Sequence, residues 1–515
     1  MAASPRYDFI IVGAGPAGCM LASRLSRSKS GPSVLLLEAG EYSDTAAAKI
    51  DGERWLHRTN PNYNWGYKAT PQGNLGNRAV EYDRGKGVGG TTLINFEVWD
   101  EIASLTGNED WNWLSTRKRY QEIESYHGFE PDVAPEYRKY LGAKESDHGH
   151  KGPIKVGFPR VWERSMIDNL NIWLGEGSEL NPDVNSGKPL GLGIMANSAH
   201  NGVRSSAQDA LSDPPANLSI HTVAEVARVI FQDNTAVGVE TVDEKSYFAS
   251  KEVILCCGAL DTPRVLMHSG IGPAEQLNHF NIPIVWDADQ TGILAEMACS
   301  FAIGFQKSEN ISKSPEFASL SLETQALLKS PTLPHYEFIL NCPVFDHYMD
   351  PANAVPATSV FVVNLNPQTE GAVTLQSAHP KIPLLFDPNF FAHPYDCRVV
   401  IEATREVLKA ANSPAFRKDT VRDMHVPASS SDDDIWEYWK TTSASLWHMS
   451  GTARMGKGAS SAVVDGNLKV FNVEGLRIAD LSVYPIVISG HTQSTGYLAG
   501  LVAGDRIAKE YSLDI

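Results

Sequence analysis

The chain has 515 residues, of which 42% are hydrophobic, and a formal net charge of −17. This length allows two or more domains with large buried cores. The acidic balance, with no long Lys/Arg run, argues against a nucleic-acid partner, because phosphate binding needs clustered positive charge.

The six cysteines form neither a CxxC pair nor a Cys/His spacing typical of zinc sites. We therefore expect free thiols in a reducing compartment, and no metal site. No stretch reaches the roughly 18 apolar residues of a membrane span. The N-terminal residues MAASPRYDF lack the basic start and apolar run of a secretory signal, so an intracellular protein is expected if Met1 is the natural start.

A buried strand, a glycine-rich turn and a helix are predicted at the N-terminus. Residues 7–12 are apolar and β-branched, and the segment GAGPAG follows them directly. Gly13 permits the tight turn, Gly15 lets a pyrophosphate approach the backbone, and Gly18 lets the helix pack on the strand. The N-terminus of that helix would then face the phosphates of a bound nucleotide.

An acidic residue ends the second predicted strand. The apolar run Val34–Leu37 stops at Glu38, about 20 residues after Gly18, where a carboxylate can accept the ribose hydroxyls of adenosine. The strand, the helix and the acidic residue together predict a dinucleotide site. The motif by itself leaves NAD and FAD open.

Two further segments follow in chain order. The run from Arg84 to Asn95, RGKGVGGTTLIN, is a second glycine-rich loop, which indicates a cofactor too long for one turn to hold, and FAD is such a cofactor. In the run from Asn217 to Val226 β-branched residues recur, Asp233-Asn234 supplies a turn and residues 236–240 return, which predicts a hairpin.

Four segments together resemble the glucose–methanol–choline (GMC) oxidoreductase family. They are the N-terminal loop with Glu38, the RGKGVGGTTLIN loop, the run GALDTPRVLMHSGIG at 258–272, and the C-terminal block 447–493. They span most of the chain in family order. The C-terminal run SGHTQ is similar to that of aryl-alcohol oxidases, and the chain as a whole is choline dehydrogenase-like.

The resemblance implies an α/β fold: a Rossmann-like FAD-binding domain of GMC type with a discontinuous α+β substrate-binding domain. The FAD-binding domain would comprise residues 1–155, 191–285 and 441–515. The substrate-binding domain would comprise residues 156–190 and 286–440.

The resemblance also implies which residues contact FAD. They are Gly13, Gly15, Pro16, Ala17, Gly18, Glu38, Ala39, Arg84, Gly89, Gly90, Thr91, Asn95, Val226, Gly258, Asp480, His491, Thr492 and Gln493. Asn95 occupies the position at which some members attach FAD through a histidine, so non-covalent FAD is expected. The chain departs from the family at Ile102 and at residues 292–297, where the usual Asp-His pair is missing.

Two histidines near the C-terminus carry the expected chemistry. Oxidation of an alcohol removes a hydroxyl proton and a hydride from one carbon, and the resemblance places His448 and His491 beside flavin N5, which takes the hydride. Histidine has the side-chain pKa nearest neutrality, and the resemblance implies that His448 acts as the base, because it matches the position that the family holds as His. His491 is expected to hydrogen-bond the alcohol oxygen. Glu337, on an alternating strand, either bonds the second histidine or is a solvated carboxylate.

The SGHTQ run favours a primary alcohol, aromatic or allylic, with reduced flavin reoxidised by dioxygen or by another acceptor. Two other functions remain open at this point. One is a lyase of the hydroxynitrile lyase type, which holds FAD without net redox chemistry. The other is a flavoprotein without turnover, which the histidine pair argues against.

Overall fold

A computed structural model describes residues 5–43, 58–93, 111, 113–128, 135–158, 162, 164–288, 292–293, 302–342 and 358–515. The expectations for Asn95 and Ile102 lie outside the described residues. Of the divergent segment 292–297, only Gly292 and Ile293 are described, and they form a short strand.

Twenty-two strands occur in the described ranges. They are β1 (Arg6–Val12), β2 (Val34–Leu37), β3 (Tyr67–Lys68), β4 (Glu81–Tyr82), β5 (Glu124–Tyr126), β6 (Ile154–Val156), β7 (Gly191–Ile194), β8 (Ala199–His200), β9 (Val203–Arg204), β10 (Leu218–His221), β11 (Val226–Gln232), β12 (Thr235–Thr241), β13 (Ser246–Leu255), β14 (Ile271–Gly272), β15 (Trp286–Asp287), β16 (Gly292–Ile293), β17 (Ala302–Gln306), β18 (Tyr336–Cys342), β19 (Ser359–Asn364), β20 (Glu370–Thr374), β21 (Leu385–Asp387) and β22 (Leu476–Ile478).

Twelve α-helices occur in the same ranges. They are α1 (Pro16–Ser26), α2 (Trp113–Ile123), α3 (Arg164–Gly175), α4 (Gly258–His268), α5 (Ala274–His279), α6 (Glu309–Ser312), α7 (Pro315–Ala318), α8 (Leu322–Leu328), α9 (Pro394–Ala411), α10 (Pro414–Arg417), α11 (Asp432–Thr442) and α12 (Gln493–Glu510). None of these helices combines the length and the apolar character that a membrane crossing requires.

A seven-stranded sheet forms the centre of the nucleotide-binding part. Its order is β10-β2-β1-β13-β12-β11, and β22 pairs with β13. The strands β10, β2, β1, β13 and β22 run parallel, as expected where helices connect the strands. The strands β11 and β12 form the predicted antiparallel hairpin, with Asp233 in a left-handed turn conformation. The predicted first strand and helix are confirmed as β1 and α1.

A smaller antiparallel sheet, β17-β18-β19, carries Glu337 at its centre, opposite Phe305 and Val363. Phe305 and Val363 belong to an apolar cluster that also contains Ile339 and Leu446. Because strand residues alternate between faces, Glu337 and Ile339 point to the same side of the sheet. The sheet therefore places one carboxylate within an apolar layer that also includes Leu446, two residues before His448.

The strands of the large sheet come from the three segments predicted for the FAD-binding domain, and β17-β18-β19 comes from the segment 286–440. The exact division of the chain into domains remains a prediction. The parallel core and the separate antiparallel sheet are the two features that bring distant parts of the chain to one site.

A buried histidine joins two loops beside these sheets. Nδ1 of His148 lies 3.2 Å from Oε1 of Glu124, and Nε2 lies 3.2 Å from Oδ2 of Asp183. The imidazole stacks on Tyr126, with ring centroids 3.9 Å apart. Burial by itself would lower the pKa of His148, but the hydrogen bonds and charges of Asp183 and Glu124 outweigh it and raise the pKa to about 9.

This shift predicts that the stability of the protein depends on pH through His148. The folded state binds the proton more tightly, so the contribution is fully present below the ordinary histidine pKa and is lost as pH rises through about 9. We expect His148→Gln to lower the free energy of unfolding by about 3 kcal/mol at about pH 6, and by much less at about pH 10. Urea unfolding at both values measures this difference.

The exposed His150 offers a matched control, because it lies two residues away and also contacts Tyr126. His150→Gln should leave the dependence on pH unchanged. If His148→Gln lowered the free energy of unfolding equally at both pH values, the raised pKa of His148 would be contradicted.

Candidate active site

The turn between β1 and α1 has the geometry of a phosphate-binding loop. A Cβ added to Gly18 would lie 1.9 Å from the carbonyl oxygen of Gly13, so only glycine allows the helix to pack this closely. A Cβ added to Gly15 would meet no atom within 4 Å, and Gly15 borders an open cavity. The roles predicted for Gly18 in packing and for Gly15 in close approach agree with this geometry.

The carboxylate of Glu38 joins three backbone segments. Its Oε2 accepts a hydrogen bond from the N–H of Ala14 at 2.8 Å. Its Oε1 accepts from the N–H groups of Gly40 at 2.9 Å and Gly87 at 3.1 Å. Burial raises the pKa of the Glu38 carboxyl, and these three N–H donors oppose that shift. The sequence motif predicts that Glu38 contacts the ribose, but it does not predict that Glu38 also bonds the backbone of both glycine-rich loops.

The two glycine-rich loops touch each other directly. A Cβ added to Gly90 would lie 2.7 Å from Cα of Gly15, and the N–H of Gly89 donates to the carbonyl oxygen of Ala14 at 2.7 Å. Arg84, at the start of the second loop, donates from Nη2 to the carbonyl oxygen of Trp447 and contacts Sδ of Met449. This loop therefore contacts both the phosphate-binding turn and the segment that carries His448.

Asp480, from the C-terminal segment, also borders the site and bonds the start of α4. Its Oδ2 accepts from the N–H of Gly258 at 2.9 Å and from Oγ1 of Thr262 at 2.6 Å, and its Oδ1 accepts from the N–H of Ser482. Burial raises the pKa of the Asp480 carboxyl. A Cβ added to Gly258 would meet no atom within 4 Å, so this position also opens into the cavity.

One elongated cavity connects these elements, with about 1480 Å³ of empty space including its mouth. Its lining contains most of the residues predicted to contact FAD: Gly13, Gly15, Pro16, Ala17, Glu38, Ala39, Arg84, Gly90, Thr91, Val226, Gly258, Asp480, Thr492 and Gln493. The residues fit FAD, because one cavity is bordered by both glycine-rich loops, by Glu38 and by His448.

Three of the residues predicted to contact FAD stand behind the lining. Gly18 packs against Gly13, Gly89 bonds the first loop, and His491 is buried behind His448. Asn95, which was also predicted to contact FAD, lies outside the described residues. These positions hold the loops and rings that border the cavity.

The two predicted catalytic histidines lie side by side. Their ring centroids are 5.3 Å apart, at an interplanar angle of 65°. His448 borders the cavity, whereas His491 is 1% exposed and does not. Nε2 of His491 lies 2.9 Å from Oε1 of the fully buried Glu337. Of the two sequence interpretations of Glu337, the contact with the second histidine is therefore the correct one.

The surroundings of His448 keep its imidazole neutral. Burial, the neighbouring His491 and the guanidinium of Arg84 hold the pKa of His448 well below its usual range. A neutral imidazole has a lone pair that can accept a proton. The arrangement therefore provides a proton acceptor at the cavity wall over the whole neutral pH range.

Several residues of the site were missed by the sequence interpretation. Tyr67 donates to Asp261 at 3.0 Å, and Arg264 bonds both Asp261 at 2.8 Å and Glu225 at 3.0 Å. Asp261, Arg264 and Glu225 border the end of the cavity near Val226. Asp261 and Arg264 lie inside the 258–272 motif, but only the helix α4 shows that both face the cavity rather than the sheet.

Comparison with known proteins gives matches over nearly the whole chain. Two protein-family models described as GMC oxidoreductase match this chain, the N-terminal one over residues 7–293 and the C-terminal one over residues 367–500. An oxygen-dependent choline dehydrogenase of Klebsiella pneumoniae is 29% identical over 555 aligned positions, which cover 98% of this chain and 96% of that protein. An alcohol dehydrogenase (acceptor) of Pseudomonas putida is 28% identical and covers 98% and 96% respectively.

Solved structures match the fold over the same extent. A formate oxidase of Aspergillus oryzae, studied for its FAD modification, superposes with a TM-score of 0.84 at 24% identity, covering 99% of this chain and 100% of that one. A fungal aryl-alcohol oxidase superposes with a TM-score of 0.81 at 21% identity, covering 98% and 99%. At these identities the structures support the shared fold alone.

The bonds of Glu38 predict a double effect of its substitution. Glu38→Gln replaces two acceptor oxygens by one oxygen and an NH₂ group that faces N–H donors, so buried donors lose their partner at a cost of about 1–3 kcal/mol. We expect weaker FAD binding and a lower unfolding temperature of the apoprotein. Fluorescence titration with FAD and thermal unfolding measure the two effects.

Glu41→Gln is the matched control, since Glu41 is exposed three residues further on. It should change neither quantity. If Glu38→Gln lowered FAD affinity but left the stability of the apoprotein intact, Glu38 would act on the nucleotide alone and not on the two loops.

Proposed function

The chain belongs to the GMC oxidoreductase family, and from this premise we propose that it oxidises a primary alcohol, aromatic or allylic, with His448 as the base and FAD held without a covalent bond. Membership confirms the predicted family, the Rossmann-like fold class and the identification as an FAD-dependent alcohol oxidoreductase. The single observation that carries the proposal is the pair of adjacent histidines, of which His448 borders the dinucleotide cavity.

FAD, when bound, supplies the acceptor for the hydride that leaves the alcohol carbon. Residues of this chain do the rest. Both glycine-rich loops would hold the diphosphate, the free lone pair of the Glu38 carboxylate would accept a ribose hydroxyl, and the backbone of Val226 would contact the adenine. Asn95, which replaces the attaching histidine of some relatives, is the sequence feature that supports non-covalent binding.

His448 takes the hydroxyl proton in this proposal. It borders the cavity, and no described residue accepts from or donates to its ring. Its lowered pKa leaves the ring neutral at physiological pH, so it is ready to accept a proton without first losing one. A positioned base of this kind contributes about 10²–10⁴-fold to a rate.

His491 orients the oxygen of the alcohol. The contact with Glu337 engages Nε2 of His491 and leaves Nδ1 as the nitrogen available to the substrate side, where an N–H would donate to the alcohol oxygen. Nδ1 is buried and has no partner within the described structure. The carboxylate thus fixes the orientation of the second histidine.

The class of alcohol is inferred from the sequence and from the residues beside His448. The SGHTQ run at 489–493 is similar to that of aryl-alcohol oxidases, and Leu446 and Trp447 border the cavity next to the base. An apolar and aromatic wall favours a substrate with an unsaturated or aromatic group. Choline, the substrate named for several relatives, is the natural comparison in a substrate screen.

The histidine pair predicts unequal losses of activity. His448→Ala should slow anaerobic flavin reduction by about 10²–10⁴-fold while FAD stays bound. His491→Asn should be milder than His491→Ala, because Asn can still hydrogen-bond the alcohol oxygen. The wild-type rate should rise with pH only in the acid range and stay flat above it, because the low pKa of His448 keeps the base neutral there. Stopped-flow absorbance of the flavin measures all of these rates.

The exposed His279 on α5 provides the control, and His279→Ala should reduce its flavin at the wild-type rate. Should His448→Ala also do so, the proton goes elsewhere. In that case His491, with its partner Glu337, becomes the base.

The contact between His491 and Glu337 predicts a separate effect. Glu337→Gln exchanges a charged hydrogen bond for a neutral one, a difference of about 1 kcal/mol, so flavin reduction should slow by about fivefold. FAD occupancy should not change, since Glu337 does not border the cavity. Glu323→Gln, at an exposed site on α8, is the matched control. A wild-type rate for Glu337→Gln would show that this carboxylate does not assist His491.

A further inference from the structure

The residue before His448 has an unusual backbone conformation. Trp447 has φ of 63°, in the left-handed region that bulky side chains rarely adopt. Its N–H donates to Oγ of Ser445 at 3.2 Å, which makes a tight turn directly before the catalytic position. Such a conformation costs about 1–3 kcal/mol and persists only where the surroundings impose it.

The segment 58–86 supplies those surroundings. Nε1 of Trp447 donates to the carbonyl oxygen of Glu81 at 3.0 Å, and the guanidinium of Arg58 lies 5.2 Å from the centre of the indole ring. Nη2 of Arg84 donates to the carbonyl oxygen of Trp447 and also contacts Sδ of Met449. One guanidinium nitrogen therefore contacts both neighbours of His448.

Arg84 is itself held firmly in place. Its N–H donates to Oδ1 of Asn64 at 3.0 Å, and its carbonyl oxygen accepts from the N–H of Trp65 at 2.9 Å. The side chain of Asn64 also donates to Asp83 at 2.6 Å. The guanidinium therefore projects from a fixed stretch of backbone rather than from a mobile loop.

We infer that Arg84 is a positioning residue for the base: by bonding Trp447 and contacting Met449 on either side of His448, it holds that imidazole against the cavity. The inference rests on the proposed function of His448. It differs from the role in FAD binding expected for Arg84, because it places the effect on the catalytic turn rather than on the cofactor.

The charge of Arg84 adds a second consequence. Arg84 and His491, which is backed by Glu337, are the titratable groups whose charges act on His448. Both lower the pKa of His448 in addition to burial. Removal of the guanidinium should therefore raise the pKa of His448, while substitution of a residue elsewhere on the same turn should not.

Arg84→Met, with FAD added to saturation, is the direct test. At saturating alcohol the rate of flavin reduction should fall by about 10²-fold, the size of effect expected from a misplaced catalytic group. The dissociation constant of the alcohol should change little. Arg84→Lys should give an intermediate rate, because one ammonium group can reach Trp447 but cannot reproduce both contacts.

Arg78→Met is the matched control. Arg78 lies on the same segment and donates to the carbonyl oxygens of Lys440 at 3.0 Å and Ser443 at 2.9 Å, just before the catalytic turn. It does not border the cavity. If general loosening of this region slowed the reaction, Arg78→Met would slow it equally, whereas the inference predicts a rate close to wild type.

NMR of protein with ¹³C-labelled histidine provides a readout that does not depend on turnover. The resonance of His448 is identified by its absence in His448→Asn. In Arg84→Met it should titrate at higher pH than in the wild type, and in Arg84→Lys it should titrate as in the wild type because the charge is kept.

Three results would overturn the inference. The first is a wild-type rate in Arg84→Met with FAD bound. The second is a rate that is slow at limiting FAD and reaches the wild-type value at saturating FAD, which would make Arg84 a cofactor ligand. The third, decisive if Arg84→Met does not fold, is a wild-type rate in Arg84→Lys. If no alcohol reduces the wild-type flavin, the proposed function fails, and the titration of His448 still tests the position of its ring.

Discussion

The buried carboxylate of Glu38 is the interaction on which the nucleotide site depends. Its two oxygens accept three backbone N–H groups, from Ala14, Gly40 and Gly87, and these belong to three separate segments of the chain. Without that acceptor, three buried donors would lack partners, at a cost of about 1–3 kcal/mol each. One side chain therefore joins both glycine-rich loops that border the cavity, and the fourth lone pair remains for the ribose.

The far end of the cavity depends on contacts between residues that are distant in sequence. Glu337, on the central strand of the small sheet, reaches His491 across 154 positions of the chain. Arg84 reaches Trp447 across 363 positions. The ring of His491 is therefore oriented from the small sheet, and the backbone around His448 is held from the second glycine-rich loop. Neither histidine is positioned by its own segment alone, which is why catalysis requires the whole fold.

The sequence predicted the nucleotide loop, the first strand and helix, the hairpin and the pair of histidines, because each depends on local patterns or family motifs. It did not predict the bonds of Glu38 to Gly40 and Gly87, since these depend on how two loops meet in space. The ion pairs of Arg264 with Asp261 and Glu225 were missed for the same reason. Burial of His491 behind His448 also depends on packing, which no spacing of residues reveals.

The central claim is that the alcohol carbon loses a hydride while His448 takes the hydroxyl proton. The most direct measurement is anaerobic bleaching of the flavin with one primary alcohol, compared with the same alcohol deuterated at the reacting carbon. The account predicts that both alcohols bleach the flavin fully and that the deuterated one does so more slowly. A flavin that stays yellow while the substrate is cleaved would mean lyase chemistry, and equal rates for both alcohols would contradict hydride transfer as the slow step that the histidines assist.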